Sequence, residues 1–275
     1  MYTLNCKGRL VVTDRPLVMG IINVTPDSFF EGSRVRQSDK ILRLAEKMVN
    51  EGAAMIDVGG QSTRPGSDPI GAEDELRRVI GPVSELAEKF PELVISIDTY
   101  YSRVAREAVS AGASVVNDIS GGTLDPEMIV TAGTLGVPYV LTHMRGTPQD
   151  MQQHTRYKAM MPEIKGFFTE KIAMLQAAGV KDIIIDPGFG FAKTIPQNFE
   201  VLRLLKEFSL FGFPVLAGLS RKGTVYRTLG IDVSEALNGS TVLHTIALLN
   251  GAQILRVHDV KEAVEAVKLV DAYGT

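Results

Sequence analysis

Eight short, almost continuously apolar runs, separated by longer amphipathic stretches, leave few folds open to this chain. The runs lie at residues 17–23, 54–59, 93–99, 114–119, 137–143, 182–186, 213–219 and 253–258. A strand with one face in water alternates apolar and polar residues, whereas a run that is apolar at nearly every position is covered on both faces. Between the runs, apolar residues recur at three- and four-residue spacing, as in Ile41, Leu44, Ala45, Met48 and Val49, or Leu76, Val79, Ile80 and Val83, which predicts helices with one buried face. Ser102 is placed to cap a helix over 103–111 that Gly112 ends, and Gly52 and Gly179 to end two others. Successive runs start about 34 residues apart, close to the ~30 residues of a strand–helix–strand unit. Eight such units predict an α/β fold, a (β/α)8 TIM barrel, with a doubly wound open sheet as the alternative.

Residues 2–12 read as a short N-terminal β-hairpin turning at Lys7-Gly8, placed to plug the bottom of the barrel. No linker-like composition break divides the chain, so one domain over 1–275 is expected. The 29 basic and 32 acidic residues leave a formal charge of −3, which argues against a broad basic surface for nucleic acid or anionic lipid. Any anion must then be held by a local cluster of cations. A single cysteine, Cys6, closes no intrachain disulfide and suits a reducing, cytoplasmic setting. The longest stretch without Asp, Glu, Lys or Arg, 236–255, is interrupted by polar residues such as Asn238, His244 and Gln253, and is not expected to span a membrane.

In a barrel of this kind the chemistry sits at the carboxyl ends of the strands, and here every run ends in polar residues. Asn23 closes the first, Asp57 the second, Asp98 the third, Asn117-Asp118 the fourth, His143 the fifth and Asp186 the sixth. Ser220-Arg221-Lys222 follow the seventh, and Arg256 and His258 lie in the eighth. A lone Asp after a strand is commonly a cap or turn residue, the reading that fits Asp118 and Asp259. Asp98, Asn117 and Asp186 instead terminate apolar runs and point into one mouth, where unpartnered carboxylates cost several kcal/mol each. A hydrogen-bond-donating ligand removes that cost. Arg64, Lys222, Arg256 and His258 converge on the same rim and, with Thr63 and Asn23, suit an oligophosphate, Asn23 being a neutral oxygen ligand compatible with a partly hydrated Mg²⁺. Other motifs fail: Gly188-Phe189-Gly190 lacks the third glycine of a dinucleotide fingerprint, with Lys193 in its place, and no Walker A, zinc-spaced or G-x-S-x-G sequence occurs.

Two segments are distinctive: Met19-Gly20-Ile21-Ile22-Asn23-Val24-Thr25-Pro26-Asp27-Ser28-Phe29 and Ile56-Asp57-Val58-Gly59-Gly60-Gln61-Ser62-Thr63-Arg64-Pro65-Gly66. They resemble the signature segments of the dihydropteroate synthase family, and six further motifs follow in family order as far as Val260. The resemblance implies a barrel that joins 6-hydroxymethyl-7,8-dihydropterin diphosphate to para-aminobenzoate, giving 7,8-dihydropteroate and pyrophosphate for folate synthesis. Carried over by position, it implies pterin contacts from Asp98, Asn117, Asp186, Lys222 and Phe191. Diphosphate contacts fall to Asn23, Thr63, Arg64, Arg256 and His258, para-aminobenzoate contacts to Phe29, Pro65 and Ser220, and a Mg²⁺ ligand to Asn23. Arg64, Lys222 and Arg256 take the catalytic roles. It also implies a homodimer through helices late in the barrel, where 236–249 is apolar with hardly any charge.

Three departures stand out. Gln61 replaces the family's common Glu, Phe30-Glu31-Gly32-Ser33 replaces Ser-Asp-Gly-Gly, and Gly223-Thr224 follow Lys222 where larger residues are common. The alternatives are a methyltetrahydrofolate-dependent corrinoid methyltransferase, which has no reason to keep Thr63-Arg64 and Ser220-Arg221-Lys222 as an anion clamp, a Schiff-base aldolase using Lys222, and an inactive pterin-binding module.

Overall fold

The computed structural model describes residues 1–24, 34–61 and 66–274. The chain opens with the antiparallel hairpin β1 (Thr3–Cys6) and β2 (Arg9–Val12). Its two-residue turn places Lys7 at φ 57° and Gly8 at φ 91°, the positive-φ pair that matches the twist of the flanking strands. Asn5 Oδ1 accepts from Gly8 N at 2.7 Å and fastens the turn.

Eight parallel strands follow: β3 (Leu17–Asn23), β4 (Met55–Gly59), β5 (Val94–Asp98), β6 (Val115–Asp118), β7 (Tyr139–Thr142), β8 (Ile183–Asp186), β9 (Leu216–Ala217) and β10 (Ile254–Val257). They are hydrogen-bonded in the order β8-β7-β6-β5-β4-β3-β10-β9. A parallel bridge between Ile185 and Val215 joins the two ends into a barrel. The helices between them are α1 (Arg34–Asn50), α2 (Ala72–Lys89), α3 (Ser102–Ala111), α4 (Met128–Leu135), α5 (Met160–Ala177), α6 (Ile195–Arg203), α7 (Gly223–Leu229), α8 (Leu237–Leu249) and α9 (Val260–Gly274). The (β/α)8 barrel and its N-terminal hairpin are therefore as expected, with the short α7 added before α8. One cap differs: Tyr101 is the N-cap of α3, and Ser102 opens the helix with its N–H donated to Asp125 Oδ2 at 2.7 Å.

The two-residue period of the strands sorts their side chains into two cores. Outward residues such as Val18, Ile56, Ile95, Val116, Tyr139, Ile183, Ala217 and Leu255 pack with the helices. Gly20 belongs to this outer face because a Cβ there would stand 2.7 Å from Met48 Sδ, so its absence lets α1 close onto β3. Inward, one residue per strand forms a single apolar layer: Met19, Met55, Val94, Val115, Val140, Ile184, Leu216 and Ile254. Leu4 and Cys6 of the hairpin join that layer and cap the bottom of the barrel. Burial, reinforced by Asp182, pushes the Cys6 thiol up to about 12, so it serves there as an apolar filler.

Candidate active site

Two residues further along, the same inward parity delivers polar side chains on six of the eight strands, the exceptions being Ile21 and Gly218. Asp57 stands beside Ser96 and Ile21, Gly59 beside Asn23 and Asp98, Asp98 beside Asn117, and Thr142 beside Asp186. Asp57, Asp98, Asn117 and Asp186 are all buried, the most exposed being Asp186 at 7%. Asn23 lies at the same level, its Oδ1 and the Asp98 carboxylate flanking Gly59.

Arg256, rising from β10, is the central cation. Its Nε donates to Asp57 Oδ2 and its Nη2 to Asp98 Oδ2, both at 2.6 Å. Asn117 Nδ2 donates to the same Asp57 oxygen at 2.9 Å. Burial works against the guanidinium charge, yet Asp57 and Asp98 outweigh it and raise its pKa further. Burial pushes Asp98 up to about 7, against the pull of Arg256 and with reinforcement from Asp57 and Asp118. Asp186 is also raised by burial, opposed by Lys222 and by the Gly188 N–H, which reaches Asp186 Oδ1 at 2.8 Å. Burial lowers Lys222 to about 8 although Asp186 favours its charge. Three carboxylates thus face two cations among the described residues of the mouth.

Lys222 donates to Phe189 O at 2.5 Å and stands 4.8 Å from the centre of the Phe191 ring. At the rim, Ser220 Oγ accepts from His258 N at 3.1 Å and meets His258 Nδ1 at 3.0 Å, holding the exposed imidazole. Arg221 is committed elsewhere: Nε and Nη2 bind both oxygens of Asp259 at 2.8 Å, and Nη1 reaches Val233 O and Ser234 O. Asp118, one residue past Asn117, faces outward and accepts from Ser120, Gly122 and Tyr139, so it organises a turn as expected. Gln61 Nε2 donates to the buried Glu75 at 3.4 Å, and Gln61 Oε1 accepts from Tyr100 OH at 3.1 Å. Burial pushes Glu75 up to about 8. An amide at position 61 therefore presents a donor where a second carboxylate would repel Glu75.

Several buried polar atoms of this mouth have no protein partner: Asp57 Oδ1, Asp98 Oδ1, Ser96 Oγ and Thr142 Oγ1. Buried acceptors are normally satisfied, so the arrangement calls for a ligand that brings donors. A flat molecule with N–H groups along one edge and an acceptor facing Lys222 fits this chemistry.

The match to known proteins decides the family. The model of the family described as pterin binding enzyme matches residues 19–258. The chain belongs to the dihydropteroate synthase family of pterin-binding enzymes. Dihydropteroate synthase from Escherichia coli strain K12 is 42% identical over 271 residues, covering 98% of this chain and 95% of that protein. The enzyme from Bacillus subtilis strain 168 is also 42% identical, over 94% of this chain and 89% of its own length. Among solved structures, Yersinia pestis dihydropteroate synthase in a sulfonamide drug complex superposes with a TM-score of 0.93 at 40% identity, covering 99% of each chain. Xanthomonas albilineans dihydropteroate synthase with 4-aminobenzoic acid gives 0.92 at 38% identity, over 99% of this chain and 98% of that one.

Within this dihydropteroate synthase fold, Asp98, Asn117, Asp186, Lys222 and Phe191 come together at one mouth, with Asn23, Ser220 and His258 at its rim. Phe29, Thr63, Arg64 and Pro65 lie outside the described residues. Arg256 differs from its expected place at the rim, because the two carboxylates on neighbouring strands draw its guanidinium inward. Asp57 is the residue that sequence reasoning passed over as a binding group. Its signal was parity, since it lies two residues from the inward Met55 on the same strand.

Proposed function

We propose that this mouth carries out dihydropteroate synthesis. The reaction condenses 6-hydroxymethyl-7,8-dihydropterin diphosphate with para-aminobenzoate, releasing pyrophosphate and 7,8-dihydropteroate. The observation that carries this reading is the set of buried, unpartnered oxygens on Asp57 and Asp98 beside Asn117 and Asp186, which a pterin edge of amino and ring N–H groups satisfies. Lys222 donates to the pterin's carbonyl side, and Phe191 packs on the ring. Asn23, Thr63, Arg64, Arg256 and His258 hold the diphosphate, while Phe29, Pro65 and Ser220 border the para-aminobenzoate.

The bond between the exocyclic methylene and the diphosphate oxygen breaks as the arylamine nitrogen bonds to the same carbon. The electron-rich dihydropterin delocalises the positive charge that develops on the methylene, and Arg64 and Arg256 stabilise the charge that leaves with pyrophosphate. The arylamine is neutral near pH 7, so its attack needs no strong base, and the proton it sheds passes to water. Asn23 Oδ1 at the mouth suits a hard cation as a single neutral oxygen ligand, and among the described residues no group of three or more His, Cys, Asp or Glu is placed to hold a metal. A Mg²⁺ there would take its remaining oxygens from diphosphate and water and would neutralise leaving-group charge.

The same reading includes a cytoplasmic homodimer. Val242, Ile246 and Leu249 lie on one face of α8 and are 50%, 38% and 54% exposed, with Leu269 and Tyr273 of α9 more exposed still. Exposed apolar patches of this kind are commonly covered by a partner, and a dimer mass by light scattering that falls to the monomer in Leu249→Lys is expected. No described helix is long and apolar enough to cross a membrane. Catalysis is tested by pyrophosphate release from the pterin diphosphate, para-aminobenzoate and Mg²⁺, with Arg64→Ala and Asp186→Ala beside the parent. Both variants should lose at least ~100-fold in kcat/KM, and a parent that releases no pyrophosphate under any metal condition ends the proposal.

A further inference from the structure

The segment after β8, Asp186 to Lys193, carries two of the proposed pterin contacts yet has no regular hydrogen-bond ladder of its own. It passes through three left-handed positions, Gly188 at φ 72°, Gly190 at φ 82° and Ala192 at φ 50°. The first two are glycines; Ala192 carries a Cβ and is strained there. Such a path persists only where its surroundings hold it. At Gly188 the packing is close: a Cβ would lie 2.0 Å from His143 O.

Side chains supply the missing ladder. Gln152 Nε2 donates to Gly190 O, Tyr157 OH to Ala192 O, and Asn198 Oδ1 accepts from Gly190 N at 2.6 Å. At the centre is Lys193, only 3% exposed. Its Nζ contacts Gly188 O at 3.0 Å, Phe191 O at 3.1 Å and His143 Nδ1 at 2.9 Å. Burial lowers the Lys193 pKa to about 7, against the pull of Asp186; in its ammonium form Lys193 has three donors and no acceptor, so these three contacts use all of them. His143 Nδ1 is then an acceptor and the ring carries its proton on Nε2. The imidazole is itself fixed edge-on to Phe167, with ring centres 5.0 Å apart.

We propose that Lys193 is a positioning residue for the pterin site. By clamping Gly188 O and Phe191 O it sets the turn that aims Phe191 at Lys222 and leaves the Gly188 N–H on Asp186, and His143 is the acceptor that completes the clamp. The proposal rests on the reading of this mouth as the pterin site. Burial holds the His143 pKa well below its ordinary value, with Lys193 and Arg145 adding to the effect, which keeps the ring neutral as an acceptor must be. Nothing places Lys193 against substrate, so it acts through Phe191, Asp186 and Lys222.

The test compares Lys193→Met, which keeps the stem and removes the donors, with His143→Leu and His143→Gln, the last retaining an acceptor. Binding of phosphate-free 6-hydroxymethylpterin is measured by calorimetry, and KM and kcat for both substrates are measured well below each variant's melting temperature. Lys193→Met is expected to weaken pterin binding 10- to 100-fold and to raise the pterin diphosphate KM in step, with the para-aminobenzoate KM within about threefold of the parent. His143→Leu should follow it, His143→Gln should stay within about threefold of the parent, and the double variant Lys193→Met/His143→Leu should be no worse than Lys193→Met alone. In the parent, the ¹⁵N shifts of His143 should report the Nε2–H tautomer at pH 7, and in Lys193→Met a mixture of tautomers. Lys193→Gln replaces Lys193→Met if the latter does not fold, and is expected to lose a smaller part of the affinity. Parental pterin affinity in a folded Lys193 variant overturns the proposal, whatever its melting temperature. A parent that binds no pterin overturns the reading of the site instead.

Discussion

Replacing Arg256 by Met exposes the electrostatic logic of the mouth because it leaves two buried carboxylates without the cation they share. Asp57 is 0% and Asp98 5% exposed, and both bind the Arg256 guanidinium at 2.6 Å. Removing one partner of a buried ion pair costs about 3–5 kcal/mol, but here the loss depends on pH. Burial already raises Asp98 to about 7, and Arg256 is the largest influence opposing that rise. A carboxyl raised in the folded state binds its proton more tightly there than in the unfolded chain, so its contribution to stability is complete below the unfolded pKa and is lost as pH rises through the folded one. Each pH unit across which only the folded state keeps the proton changes stability by about 1.4 kcal/mol. With Arg256 present, that loss ends near pH 7. Without it the strongest influence opposing the burial is gone, so the carboxyl keeps its proton to higher pH and more of the loss falls inside the window from pH 6 to 8. Urea denaturation of parent and Arg256→Met at the two pH values should therefore show the variant's destabilisation growing from pH 6 to pH 8, by about 1.4 kcal/mol for each unit by which the carboxyl's pKa rises within that window. An equal destabilisation at both values would refute the reasoning, since it would mean that Arg256 acts by packing rather than by holding a carboxylate ionised.

The same groups shape activity. Asp98 must be ionised to accept from the pterin and Lys222 must be protonated to donate, so kcat/KM should fall as pH drops through about 7 and again as pH rises through about 8. Lys222→Arg should move the alkaline limb well above pH 9, and a profile flat from pH 6 to 9 in the parent contradicts both assignments. At the opposite end of the barrel, Leu4 is 1% exposed within the bottom layer. Leu4→Ala is expected to cost about 2–5 kcal/mol in urea denaturation while leaving kcat/KM within twofold, and a loss below about 1 kcal/mol would mean that the hairpin does not plug the barrel.

The architecture was readable because burial on both faces writes itself as apolar runs, and all eight runs became strands. Their edges were less readable. The run 213–219 pairs as β9 only over Leu216–Ala217, since Pro214 has no N–H to donate and joins the barrel through its carbonyl, which accepts from Ile185 N at 2.9 Å. In the site, residues that end strands were visible as polar letters closing apolar words. What those letters bind to was not visible, because the partners are distant in sequence: Arg256 and Asp57 are 199 residues apart, and Lys193 and His143 are 50 apart. Lys193 registered only as the residue that spoils a glycine fingerprint. Its role depends on the carbonyls of a turn whose shape no local pattern specifies.

The vertical order inside the barrel explains how one fold holds so much buried charge. The lowest inward layer is wholly apolar and is sealed by Leu4 and Cys6. Directly above it, Ser96 and Thr142, both fully buried, stand level with Asp57 and Asp186 on the neighbouring strands. In the same upper layer, Asp57, Asp98 and Asp186 meet Arg256 and Lys222; burial raises the pKa of Asp98 and Asp186, and the unpartnered oxygens of Asp57 and Asp98 work against stability. Sequence rules for a stable core fail only in this upper layer, where a site is expected to depart from them. The lower layer and the outer core of strands against helices keep the strands in register, so the upper layer need not contribute to holding the fold. Its unpaired acceptors are left for a ligand, and binding energy from satisfying them is available to orient the methylene that reacts.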